Sequence, residues 1–149
     1  DALPIFDEAW VQRALQLPFF SQKPPKSLDR NDFHARATIT EALQSADQIA
    51  TLTAFTVRAT AAILAHLPHP PRRWLVTGGG RHNLAMMAGF SAALGVPVEP
   101  VEAVGWNGDL LEAECFAYLA QRSRRGLPLS LPTTTGVPHP MIGGDFWPA

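Results

Sequence analysis

The residues most suggestive of chemistry are "TGGGRHN", 77–83, where Gly78, Gly79 and Gly80 follow the short apolar run Trp74-Leu75-Val76. Consecutive glycines are entropically costly and bring no side chain to a core. A tight turn with positive φ accounts for one or two of them, not comfortably for three. Between a strand and a helix, bare backbone lets a ligand approach, and the helix start offers N–H donors and the positive end of its dipole. A P-loop is excluded, because G-x-x-x-x-G-K-[ST] needs a lysine and none follows the glycines. A dinucleotide fingerprint, G-x-G-x-x-G with an acid about 20 residues on, is met by Gly78, Gly80 and Glu99, but Asn83 stands where its third glycine belongs. That alternative stays open. A nucleotide held against bare backbone explains the three glycines better than a turn alone.

A second constellation is "GWNGDLLEAECFAYLA", residues 105–120, with Asp109 and Glu112 three apart on the first turn of an expected helix. Asp at the N-cap with Glu at N3 is a capping box, and acids suit a helix start in any case. Spacing alone favours the cap over a substrate site. Both roles can coexist, since a carboxylate fixed at a helix start is well oriented to accept hydrogen bonds from sugar hydroxyls. The remaining candidates are weaker. His66 and His69 span a helix end and a proline and have no third ligand, so no metal site is expected. His82 is expected to face solvent in a first turn, and His139 lies in the tail without an evident partner. Cys115, among apolar residues mid-helix, reads as a small core residue and not a nucleophile. Lys26 and Arg30 read as solvated loop charges.

These groups need elements to position them. Residues 6–17 predict a helix capped by Asp7, with Trp10, Ala14 and Leu17 on one face and Pro18 stopping it. Residues 18–34 read as a semi-extended loop around Pro24-Pro25. Residues 45–67 predict a helix with Asp47 as cap and a buried stripe of Leu52, Phe55, Ala59, Ala62 and Ile63, held by packing because its threonines lower propensity. A strand over 73–77 precedes a helix over 81–94 that turns Leu84, Met87, Ala88 and Ser91 or Phe90 inward and ends at Gly95. A second short strand falls in 96–104, limited by Pro97 and Pro100, and the last clear helix covers 109–124. The tail carries Met141, Ile142, Phe146 and Trp147, which is too apolar for a free linker, so it is expected to dock. Strand, glycine turn, helix, strand, helix is an α/β order with parallel connections.

A length of 149 residues suits one domain, and 46% hydrophobic with 17% charged residues marks it as globular. A net charge of −1 supplies no basic excess for a phosphate backbone, so nucleic-acid binding is not expected. One cysteine excludes an intramolecular disulfide and suits a reducing compartment. The apolar runs look far short of a membrane span. The start, Asp1-Ala2-Leu3-Pro4, has no charged segment before an apolar one and lacks Met. The expectation is a fragment or a processed product without a signal peptide.

"PPKS" followed by Arg30, then "ATLTAFT", "GGGRHN", "GDLLEAECFAYLA", and finally "TG" with a closing "PA", occur in this order in the anhydro-N-acetylmuramic acid kinases. The chain resembles their C-terminal portion over nearly its whole length. The glycine turn alone is shared across sugar kinases and actin-like ATPases, whereas the order and spacing are more specific. The resemblance implies an enzyme that uses ATP and water to open the 1,6-anhydro ring of a muramic sugar and phosphorylate its O6, in bacterial cell-wall recycling. It implies two α/β lobes with nucleotide and sugar in the cleft between them. Residues 1–149 would be the single C-terminal lobe, a short sheet flanked by helices. By the same resemblance Gly78, Gly79 and Gly80 pass close to ATP, carried with Mg2+, and Asn83 lies nearby. Glu112 would contact the sugar and Asp109 would brace that site. The catalytic aspartate and first phosphate loop would lie in an N-terminal lobe outside this chain, leaving no catalytic residue here. A cytoplasmic enzyme free of membrane and nucleic acid, compatible with a homodimer, is the expected setting. Asp29 replaces the glycine expected before Arg30 and Asn31 the acid after it, so that loop is assigned no role. A non-catalytic nucleotide-binding module is the alternative.

Overall fold

Asp7 starts the first helix as its position predicts, its Oδ1 accepting the Trp10 N–H at 2.8 Å. The computed structural model describes residues 5–29, 31–33 and 43–147. Helix α1 is Glu8–Leu15, so Leu17 falls beyond it, and Val11 joins Trp10 and Ala14 as the buried set. Pro18 does more than stop α1. It opens α2 (Pro18–Ser21) at the first position, where a missing N–H costs nothing. The stretch expected as extended loop is therefore partly helical. Lys26 is not a solvated charge: its Nζ donates to Phe19 O at 2.7 Å and Phe20 O at 3.2 Å, carbonyls at the end of a helix. Arg30 lies outside the described residues.

Helix α3 (Ser45–Ala61) continues into a 3-10 helix, Ala62–His66. Gln44, not Asp47, holds the N-cap position, and Asp47 Oδ1 instead accepts the Ile5 N–H at 2.9 Å. The expected stripe is also corrected. Thr51 and Val57 are the buried residues of α3, while Leu52 and Phe55 are half-buried and Ile63 is exposed. Two partners cover two faces of this helix, so one stripe cannot describe it. Trp10, Val11 and Ala14 of α1 pack on Leu52, Ala54 and Phe55, with the Trp10 and Phe55 rings edge-on at 5.6 Å. The buried Thr51 hydroxyl donates to Asp47 O at 2.7 Å and accepts the Asp7 N–H at 2.9 Å. A polar group inside the packing is thereby satisfied. Contrary to the expectation that no run approaches a span, Ser45–His66 is 22 residues long with a window of mean hydropathy 1.3. That passes for a membrane span by length and composition only.

Strands β1 (Trp74–Val76) and β2 (Val98–Pro100) pair in parallel, with Trp74 opposite Val98 and Val76 opposite Pro100. Helix α4 (Leu84–Leu94) connects them and ends at Gly95, whose φ of 65° closes the last turn. It starts later than the expected Arg81 because Gly79–His82 form a 3-10 turn and Asn83 takes the cap. Its buried residues are Phe90 and Leu94; Leu84, Ala88 and Ser91 are exposed. Gly89 sets this orientation. A Cβ there would stand 2.9 Å from Val57 Cγ2, so only glycine lets α4 close on α3 and bring Phe90 and Leu94 to Val57.

Helix α5 (Leu111–Arg124) buries no residue, and a short α6 (Pro132–Thr135) follows the helix expected to be last. The tail does return: Ser130 bridges Met141, and Ser123 Oγ donates to Gly143 O at 2.6 Å. Its apolar side chains are not covered, since Ile142, Phe146 and Trp147 stay exposed. The chain is thus α/β, a two-stranded parallel sheet flanked by helices.

Candidate functional site at the carboxyl ends of the strands

The three glycines have three different reasons. Gly78 has φ 72°, a conformation that side chains resist. A Cβ on Gly80 would meet Met86 Sδ at 3.3 Å. Gly79 has neither constraint: its φ is not positive, and a Cβ would enter open space. Among the described residues, nothing requires that bareness at Gly79. It lies just after β1, at the carboxyl end of a parallel pair, where open α/β sheets bind ligands. The first N–H groups of a helical turn have no partner within it.

Asn83 is explained locally as well. Its Oδ1 accepts the Met86 N–H at 3.0 Å and caps α4, which is why no third glycine is needed at this position. It also stands on the rim of a groove of about 690 Å³ between α3 and α4, floored by small residues such as Ala50, Ala85 and Gly89.

Beside the glycines lies a charged network. Arg81, with 3% of its side chain exposed, donates from Nε to Glu102 Oε1 at 3.0 Å and from Nη1 to Gly78 O at 2.9 Å. Its Nη2 donates to Asp109 Oδ1 at 2.8 Å. Glu102 Oε1 also accepts the Gly108 N–H at 3.1 Å, and Thr77 Oγ1 donates to Gly108 O at 3.2 Å. The Glu102 carboxyl is held below its ordinary range by its own backbone N–H, then by that of Gly108 and by Arg81, against the effect of burial. The hydrogen bond to Asp109 foremost holds the guanidinium above its own range.

The expected capping box does not form. The N-cap of α5 is Leu110, with no side-chain cap, so Glu112 stands at N2 and cannot reciprocate. Asp109 is drawn off by Arg81 and has a side chain 75% exposed. Glu112 is exposed on the first turn of α5 and makes no hydrogen bond or ion pair among the described residues.

Other candidates are not brought together. Glu99 stands opposite Leu75 in the sheet and pairs with Arg73 at 3.8 Å. His66 Nε2 lies 3.2 Å from Phe20 O, His82 is exposed, and His139 Nδ1 lies 3.3 Å from Pro140 O. Among the described residues no three His, Cys, Asp or Glu side chains converge. Cys115 is exposed and not a core residue, on a helix that buries none of its residues. The sequence reading missed Arg81, Glu102 and Gly108. One basic residue directly after the glycines, with two acids just beyond the second strand, was the available signal.

The family model described as anhydro-N-acetylmuramic acid kinase matches residues 6–149. Curated proteins named anhydro-N-acetylmuramic acid kinase are similar to the chain. That of Acidiphilium cryptum is 58% identical over 139 residues, covering 93% of this chain and 38% of that protein. Those of Rhodospirillum rubrum and Rhodopseudomonas palustris are 50% and 52% identical, covering 96% and 94% of this chain. The chain spans 38% of the length of each of these relatives.

Proposed function

The chain belongs to the anhydro-N-acetylmuramic acid kinase family, and on that premise we propose that residues 1–149 are the C-terminal lobe of a two-lobed kinase. With a preceding lobe it converts 1,6-anhydro-N-acetylmuramic acid, ATP and water to N-acetylmuramic acid 6-phosphate and ADP, a cytoplasmic step in peptidoglycan recycling. The observation that carries the reading is Gly79, bare backbone at the carboxyl end of β1 with no conformational or packing need for glycine. Gly78 shapes the turn, Gly80 gives room to Met86, and Asn83 caps the helix behind them. Together they form the nucleotide side of a cleft. ATP fits this cradle because its phosphates would meet backbone N–H groups and no side chain. The accompanying Mg2+ is a hard cation that keeps waters and leans on phosphate oxygens, so it needs few protein ligands.

Glu112 takes the sugar side. An exposed, unengaged carboxylate on the first turn of α5 is suited to accept hydroxyl hydrogen bonds, and Asp109 steadies the approach to that turn. The exposed apolar residues of α5 and the tail, among them Phe116, Ile142 and Trp147, support a further part of the protein packing there. Phosphoryl transfer rests on positioning and electrostatic clamping from both sides. The chain alone is therefore expected to be inactive.

The test is to incubate the full-length protein with the anhydro sugar, ATP and Mg2+ and follow ADP and sugar phosphate. One sugar 6-phosphate per ADP supports the reading. Nucleotide binding without sugar phosphorylation would leave a non-catalytic module instead, and turnover by residues 1–149 alone would remove the need for a second lobe.

A further inference from the structure

We propose that Arg81 is a positioning residue that fastens the glycine turn to the approach of α5, so that the nucleotide and sugar sides are set by one guanidinium. The inference rests on the kinase reading above.

Three elements meet at this side chain. Nη1 holds Gly78 O, the carbonyl at which the glycine turn begins. Nη2 holds Asp109, two residues before α5 starts at Leu111 and three before Glu112. Nε holds Glu102, in the 3-10 helix Val101–Val104 directly after β2. The planar fork fixes all three directions at once, which an ammonium cannot do. The side chain is almost wholly withdrawn from solvent. It is therefore locked by its partners and is no mobile surface charge.

Gly108 shows how closely the structure is fitted around it. A Cβ there would fall 2.5 Å from Arg81 Nε and 2.8 Å from Glu102 Oε1. Glycine is required at residue 108 because the ion pair occupies that space. Helix α5 buries no residue of its own, and beside the guanidinium only the Thr77 hydroxyl, donating to Gly108 O at 3.2 Å, ties its approach to the glycine turn among the described residues. Without Arg81 the turn and α5 keep only the single Thr77–Gly108 hydrogen bond in place of the three-way guanidinium link.

The experiment is a double-mutant cycle in the full-length enzyme, with Arg81→Lys, Asp109→Asn and the pair, read as separate KM values for ATP and anhydro sugar. Arg81→Lys is expected to raise both KM values by about tenfold, because small misplacements at a reacting centre are expensive. Asp109→Asn should raise the sugar KM and leave that for ATP within about twofold. The pair should be no worse toward sugar than Arg81→Lys alone, because both changes cut one linkage. Thermal unfolding of each variant accompanies the kinetics. A folded Arg81→Lys enzyme with both KM values unchanged would overturn the proposal. So would a sugar KM that rises additively in the pair, which would make Asp109 an independent contact. Should Arg81→Lys not fold, Glu102→Gln takes its place in the cycle, since Glu102 fixes the guanidinium through Nε. An inactive wild-type enzyme would instead refute the kinase reading, which separates the two failures.

Discussion

The α1–α3–α4 packing and the α5-plus-tail region treat apolar side chains in opposite ways. In the first, Trp10, Val11, Val57, Phe90 and Leu94 are buried, and even the Thr51 hydroxyl is paired inside. In the second, Phe116, Tyr118, Ile142, Phe146 and Trp147 are exposed, and the local contacts are polar or cation–π. Arg122 Nε donates to Pro128 O at 2.7 Å, and Arg124 lies over the Phe146 ring at 5.2 Å. One region is held by a core. The other is held at its start by Arg81 and along its length by hydrogen bonds, so the candidate site lies where a rigid half meets a tethered helix.

The sharpest way to break that contrast is to truncate one aromatic residue in each region. Trp10→Ala should cost about 3–5 kcal/mol in urea unfolding of the chain, because it empties the contact with Phe55. Phe116→Ala on α5 should stay within about 0.5 kcal/mol. Equal losses would mean that α5 is packed after all.

Next in size is Glu112→Gln in the full-length enzyme. Activity should fall about ten- to hundredfold, the ~1.5–3 kcal/mol of a charge-assisted hydrogen bond, with no change in unfolding. Normal kinetics would leave Glu112 as a helix-dipole residue and send the search for the sugar site elsewhere.

Asn83→Ala separates cap from ligand contact on the rigid side. Losing the bond to Met86 N–H should cost about 1 kcal/mol of stability. A KM for ATP that rises as well would give Asn83 its second, nucleotide-side role.

The smallest effect is acidic and belongs to the packed half. Hydrogen bonds from Arg58, and then from Gln12, lower the Glu8 carboxyl to about 2. The unfolded state therefore binds a proton more readily, and stability rises with pH across the window between the two values. The pair's contribution is complete above the unfolded carboxyl range and fades as pH falls toward about 2. Glu8→Gln should flatten that part of the acid-unfolding profile. An unchanged profile would show the pair to be without consequence.

Much of the packed half was legible because local rules decided it. Asp7 as a cap, Gly95 as a helix stop and the parallel order of β1 and β2 follow from residue type and position. The inward face of α4 was not legible, because it depends on Gly89 meeting Val57, residues far apart in sequence. The Asp109–Glu112 capping box failed for a similar reason: a buried arginine outcompeted the local partner. At the site, the excess of glycines was visible in the sequence, but only coordinates separate Gly79 from its two neighbours. Cys115 was misjudged because apolar neighbours promise burial only when something covers them.

Gly79→Val in the full-length enzyme tests most directly whether the bare turn exists for nucleotide. Valine would enter open space at an ordinary φ, so the folded chain should tolerate it without a loss of melting temperature. The KM for ATP should rise by about tenfold or more while that for the sugar stays within about twofold. Unchanged constants for both substrates, or an equal rise in both with a lowered melting temperature, would contradict a nucleotide lying against Gly79.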